Sequence, residues 1–222
     1  MRHAHLALGA LLVLLAAGVA VADQMTLSPL QCGDDERVDG GGTCPQETAF
    51  TAGTSSTAYH LKAGGDSYGC NSEWATSLEF GLDALPPHAV LVSATLVVRK
   101  TGYPDDSQGF FYLGAFAYPA TGAPVAVERE DLTPETMLDV VYPPAANVDL
   151  SFDVTAAVQA VLDGESGRAG LLLAGVYSEA GYEDWISIGG ATYVVPPRLV
   201  VEYQATVEDR AWSWSQVKSA YR

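Results

Sequence analysis

Gly65-Asp66-Ser67-Tyr68-Gly69 sets a serine in G-x-S-x-G spacing, the pattern with which α/β hydrolases raise a nucleophile on a strand-to-helix turn. That chemistry also needs an acid and a histidine later in the chain. Here Cys70-Asn71-Ser72 leads on towards another strand, and beyond residue 22 the histidines are His60 and His88. His88 falls in a Pro-Pro turn. The string therefore reads as a glycine-rich loop, and the chain as non-enzymatic. Carboxylate pairs for glycoside hydrolysis are defined by their separation in space, which sequence spacing does not supply.

Asp34-Asp35-Glu36 with Asp39 forms an acidic cluster whose hard oxygens suit Ca²⁺, although the spacing matches no defined calcium loop. A solvated turn is the favoured reading. No cofactor is expected otherwise, and Asp34, Asp35 and Asp39 are the place where Ca²⁺ would bind. Asp105-Asp106 and Glu183-Asp184 pose the same choice, with surface charge favoured. Cys32, Cys44 and Cys70 are odd in number, so one stays unpaired or pairs between chains. Cys32 with Cys44 closes a loop around Gly40-Gly41-Gly42 and is the expected disulfide, stabilising by roughly 3 kcal/mol. A sugar packs its C–H faces on exposed aromatic rings while amides and carboxylates take its hydroxyls. Tyr68, Trp74, Tyr103 and Tyr182, all placed in loops, are the candidate ligand-binding residues. Packing at the rim of the fold is the alternative for each.

Compartment decides how the cysteines are read. A basic start at Arg2, an apolar run from Leu6 to Val19 and the small-x-small Ala20-Val21-Ala22 form a secretory signal peptide over residues 1–22. The apolar run is shorter than the roughly 20 residues of a membrane span, and no later stretch is longer, so no membrane span is expected. The chain carries 11 Lys+Arg against 27 Asp+Glu, a net charge of −16, and losing Arg2 makes the mature form more negative still. Such a field repels polyanions, which argues against nucleic acid and acidic membrane surfaces as partners.

Between these groups the chain alternates with the two-residue period of half-buried strands. Leu78, Phe80 and Leu82 alternate with Glu79 and Gly81; Val90, Val92, Ala94, Leu96 and Val98 alternate with more polar neighbours; Val148, Leu150, Phe152 and Val154 follow the same rule. Gly109 to Tyr118, Ala169 to Tyr177, Asp184 to Ile188 and Leu199 to Tyr203 complete the strands. No helical crossovers separate them, so the pattern specifies an all-β antiparallel sandwich, one domain over residues 23–206. A short lid helix is expected where Val154, Val158, Val161 and Leu162 share a face, with Asp153 or Thr155 as cap and Gly164 as terminator. Residues 207–222 read as a linker and a C-terminal amphipathic helix, with Ser213-Trp214-Ser215-Gln216 as capping box.

Three segments carry a resemblance. Leu78-Glu79-Phe80-Gly81-Leu82-Asp83-Ala84-Leu85-Pro86 with Val92-Ser93-Ala94-Thr95-Leu96, then Phe152-Asp153-Val154-Thr155-Ala156-Ala157-Val158, then Pro197-Arg198-Leu199-Val200-Val201-Glu202-Tyr203, resemble in order and spacing the motifs of the DNRLRE-domain family, also called carbohydrate-binding module family 96. The resemblance implies a jelly-roll sandwich that is extracellular and non-catalytic, with Trp185 facing the core. Phe110, Tyr112, Phe116 and Tyr118 would line one face of a strand. The chain departs from the family at Met137 to Pro143, where a tryptophan strand is common. It departs again at Trp185-Ile186-Ser187-Ile188-Gly189, where the family's F-x-S-R-E places an Arg and a Glu that have no counterpart here.

The expected function is a secreted, non-catalytic module that binds polysaccharide or surface glycan, extracellularly or at the cell surface. Some family members bind acidic polysaccharides such as alginate, a class the negative charge makes unattractive unless a divalent cation bridges it. The alternative is a structural or adhesive component that uses the C-terminal helix to dock on a protein partner or as a sorting tag. Packing of that helix on its own sandwich is the plainer reading.

Overall fold

Alternation fixes which side chains must leave water, and the strands pair so that every second residue does. The computed structural model describes residues 22–38, 44, 46–66, 71–101, 112–142, 147–164, 166–176 and 184–205. The signal segment, the C-terminal helix, Ser67, Tyr68, Cys70, Tyr103, Asp105, Asp106, Phe110, Tyr182, Glu183 and Asp39 lie outside them. The described strands are β1 (Asp23–Leu27), β2 (Gln31–Val38), β3 (Ala49–Ala52), β4 (His60–Asp66), β5 (Ser72–Gly81), β6 (Val90–Lys100), β7 (Leu113–Tyr118), β8 (Val125–Glu128), β9 (Met137–Val141), β10 (Val148–Asp153), β11 (Arg168–Gly175), β12 (Asp184–Gly189) and β13 (Arg198–Gln204), with helix α1 (Thr155–Asp163) after β10.

One layer runs β1-β13-β6-β10 and the other β5-β11-β7-β9, with β2 on the far edge of β5. Successive strands cross from layer to layer in the order of a jelly roll, and every described ladder is antiparallel. Leu96, Val98, Phe152, Leu199 and Val201 of the first layer meet Leu78, Phe80, Leu171 and Leu173 of the second in one core. Burying such a side chain contributes roughly 1.5–3 kcal/mol. Along one side β12 and β4 stitch the layers together: Ile188 pairs with Lys100 of β6, and Gly64 with Trp74 of β5. On the other side β9 and β10 form no ladder, and the Asp153 N–H reaches Asp139 Oδ2 at 2.8 Å.

Pairing also shows why parts of the sequence depart from expectation. Val90 and Val92 are exposed and Leu91 packs on the core instead, because β6 bulges at Val92, the residue skipped between the Ser93–Glu202 and Leu91–Tyr203 pairs. Asp34-Asp35-Glu36 is no solvated turn, for it forms the middle of β2, paired along β5 from Gln31↔Glu79 to Val38↔Ser72. Cys32 on that strand is a free thiol, 2% exposed and packed in the core, so the expected pairing with Cys44 does not form. The cause is geometric. The six residue steps from Cys32 to Val38 span about 20 Å of strand, and the chain returns at the far end, where the Glu47 N–H bonds the Val38 carbonyl; a disulfide needs Cα atoms within about 7 Å.

The second layer has a lid on its outer face, which the sequence pattern did not announce. β3 and β8 pair and close Phe50 and Ala52 over Phe116, Tyr118, Leu172 and Ala174. Phe116 and Tyr118 do share one face of β7, as expected, while Tyr112 is 40% exposed and faces Tyr142. Charged groups at the lid are paired. Glu73 Oε2 accepts from Arg37 Nη2 and Arg129 Nε, each at 2.9 Å, and fully buried Glu79 accepts from Tyr118 Oη at 3.3 Å and from Arg168 Nη1 at 3.4 Å. Burial first, then the neighbouring Glu79 charge, pushes the Tyr118 phenol well above its ordinary range.

Candidate functional site

The β4–β12 ribbon has two unlike faces. Leu61, Ala63, Ile186 and Ile188 turn into the core, so period two sends His60, Lys62 and Gly64 of β4, and Trp185, Ser187 and Gly189 of β12, to the opposite face. Register places Gly64 between Trp185 on one side and Trp74 of β5 on the other. The two indoles stand 6.2 Å apart, centroid to centroid, inclined at 58°.

Gly64 leaves the space between them open, and its φ of +126° is one that a residue with a Cβ rarely adopts. Lys62, one step along the same face, fills the gap. Its ammonium lies 4.6 Å from the Trp74 ring and 4.9 Å from the Trp185 ring, a double cation–π contact of roughly 0.5–2 kcal/mol for each ring. The Lys62 backbone is pinned as well: its N–H donates to Asp34 Oδ2 at 3.0 Å and its carbonyl accepts from Thr76 Oγ1 at 2.7 Å. Both tryptophans and Lys62 are half-buried, so their outer surfaces remain in contact with solvent.

A second aromatic group stands four residues further along the ribbon. The Tyr59 ring meets Tyr193 at 4.7 Å and His60 at 4.8 Å, and His60 lies 5.5 Å from Tyr193. Gly189, which pairs with His60, makes room for it. A Cβ there would come within 2.5 Å of the Tyr193 ring. His60 Nδ1 is held 3.0 Å from Thr101 Oγ1.

Of the four aromatic residues expected to bind ligand, Trp74 belongs to this face, and Tyr68, Tyr103 and Tyr182 fall outside the described residues. Trp185 corrects the expectation drawn from the resemblance, since it faces outward with Lys62 and not into the core. Lys62, Tyr59, His60 and Tyr193 were not anticipated. The acidic cluster does not gather. Asp34 and Asp35 are successive strand residues with side chains on opposite faces, one taken by the Lys62 N–H and the other by the Thr51 N–H. Among the described residues no three His, Cys, Asp or Glu side chains are grouped as metal ligands. Burial holds the Asp34 carboxyl above the usual range against the pull of those hydrogen bonds. Gly65 and Asp66 are the last residues of β4, and the next described element is antiparallel β5, a strand where a nucleophile elbow has a helix.

A concavity of about 370 Å³ between the Pro86-Pro87 turn and α1 has no tyrosine or tryptophan in its wall, and among the described residues the exposed Tyr112–Tyr142 pair brings no tryptophan and no cation with it. No family model and no curated protein matches the chain. No described helix is long and apolar enough to cross a membrane.

Proposed function

We propose that this chain is a secreted, non-catalytic glycan-binding domain of the DNRLRE type, acting outside the cell or at its surface, with Trp74, Trp185 and Lys62 as its contact. The observation that carries the reading is the placement of two tryptophans on β5 and β12, the strands that flank β4, with the Lys62 ammonium between their rings. Indole faces take the C–H side of a pyranose, and an ammonium with three donors takes ring or hydroxyl oxygens. The rings are held by strands rather than loops, so little ordering entropy is lost on binding. Secretion is supported by the signal-peptide pattern and by β1, which begins at Asp23, the residue that cleavage after Ala22 would expose. Asp23 pairs directly with Tyr203, so cleavage there leaves the whole strand in the mature chain.

Glycan arrays with and without Ca²⁺, followed by calorimetry on any hit, test the reading. Binding to a neutral glycan that Trp74→Ala and Trp185→Ala each weaken about tenfold is the expected result. Absence of binding to every neutral and acidic glycan at millimolar concentration would overturn it. N-terminal sequencing of secreted protein should begin at Asp23.

A further inference from the structure

The two aromatic groups of the ribbon are parts of one track. Trp74 and Trp185 lie on the Gly64 row, while Tyr59, His60 and Tyr193 gather at the His60–Gly189 row. Four residues of β4 separate the rows, about 13 Å at roughly 3.3 Å per residue, which is longer than one pyranose ring. Lys62 opposite Ser187 occupies the row between. Tyr59 is 46% exposed and Val194 beside Tyr193 is 83% exposed, so the second group offers apolar surface to solvent at its own end. Isolated exposed rings are ordinary, but two ring groups at the two ends of one rigid ribbon, one of them holding a cation, fit a linear ligand.

We infer that the ribbon binds several consecutive residues of an uncharged polysaccharide chain, with one subsite at Trp74 and Trp185 and another at Tyr59 and Tyr193. This rests on the glycan-binding reading above and adds the ligand's length and charge. The net charge of −16 disfavours polyanions. A chain that spans both subsites gains from both at once, whereas a disaccharide reaches only one.

Calorimetry of the full secreted chain with β-1,4-linked gluco-, xylo- and manno-oligosaccharides, as dimers and hexamers, tests this. The hexamer of at least one series should bind the wild-type protein about tenfold more tightly than its dimer or better. Tyr193→Ala should remove most of that length advantage while leaving dimer affinity within about twofold, and Trp74→Ala should weaken both lengths. Circular dichroism and melting temperature establish that each variant is folded; the wild-type length dependence needs no variant. Equal affinity for dimer and hexamer would overturn the extended track while leaving glycan binding in place. Preference for a uronic-acid hexamer, lost in high salt, would overturn the uncharged ligand. Loss of all binding at every length would remove the functional reading itself.

Discussion

Thr155 Oγ1 accepts the N–H of Ala94 at 2.9 Å, tying the first turn of α1 to the middle of β6. The same hydroxyl donates to Asp153 Oδ1 at 2.6 Å, and the Val154 N–H reaches the Ala94 carbonyl at 2.9 Å. Two of the segments that carry the family resemblance, Ser93-Ala94-Thr95-Leu96 and Phe152-Asp153-Val154-Thr155, are therefore physical partners. The third joins them, since Leu199 pairs with Leu96 and Val201 with Ala94. These three stretches build the first layer of the sandwich, while the Leu78-Glu79-Phe80 part of the resemblance lies in β5 of the second.

Thr155→Val should consequently destabilise the domain by about 1–2 kcal/mol, because it orphans a buried N–H and removes the contact to Asp153. Thr155→Ser, which keeps the hydroxyl, should cost less than half of that. Urea denaturation followed by intrinsic fluorescence measures both. Equal losses in the two variants would show that the bond to Ala94 contributes nothing.

Asp149 gives the pH prediction. Its Oδ1 accepts from Arg99 at 2.9 Å and its Oδ2 from Arg198 at 2.8 Å, and Arg198 first among these holds its carboxyl below the usual carboxylate range. A depressed value in the fold means that the contribution is present above the unfolded value of about 3.9 and is lost as pH falls through the folded one. Partly exposed pairs contribute roughly 0–1 kcal/mol. Asp149→Asn should thus lower the melting temperature at pH 7, with the difference from wild type closing below about pH 4 and shrinking in 1 M salt. A gap that persists unchanged into acid would assign the loss to packing.

The layers were legible in the sequence because apolar side chains repeat every second residue wherever one face of a strand is buried. The same rule applied to Trp185-Ile186-Ser187-Ile188 sends both isoleucines inward and Trp185 outward, as observed, whereas the family alignment had turned Trp185 to the core. Local periodicity was the better guide there, since it follows from the pleat of this chain. β2 and β4 were not legible. Cys32-Gly33-Asp34-Asp35 and Leu61-Lys62-Ala63-Gly64 carry too few large apolar residues to announce strands, and partners distant in sequence hold them: β5 for β2, and β12 with the Asp34 and Thr76 side chains for β4. The site itself joins Lys62, Trp74 and Trp185, which lie far apart in sequence and meet only through the register of three strands.

Cys32 offers a chemical test of that strand assignment. Burial pushes its thiol above the ordinary value, outweighing a backbone hydrogen bond from Ala191, so both access and thiolate are scarce. Iodoacetamide should leave Cys32 unlabelled in the folded protein and label it in urea without any reductant, as read by peptide mass mapping. Cys32→Ser, which sets a hydroxyl among core side chains, should cost about 1–3 kcal/mol, more than Cys32→Ala if the hydroxyl finds no partner. Protection of Cys32 in urea until a reductant is added would place it in a disulfide and overturn the free thiol.

Lys62 separates stability from binding. Lys62→Met keeps a long flexible stem between the indoles but removes the charge that both rings attract, so the loss of stability should be of the order of one exposed cation–π contact, about 1 kcal/mol. Backbone bonds to Asp34 and Thr76 do not depend on the side chain and persist in the variant. Binding responds differently. If the ammonium donates to sugar oxygens, Lys62→Met weakens neutral hexasaccharide binding several-fold while Trp74→Ala weakens it further; if Lys62 only props the rings apart, Lys62→Met binds as wild type. Calorimetry at matched salt decides between these, and tryptophan emission reports in the same samples whether the indoles have kept their surroundings. Tighter binding by the methionine variant would mean that Lys62 blocks the rings against ligand, and the proposed contact would then fail at its centre.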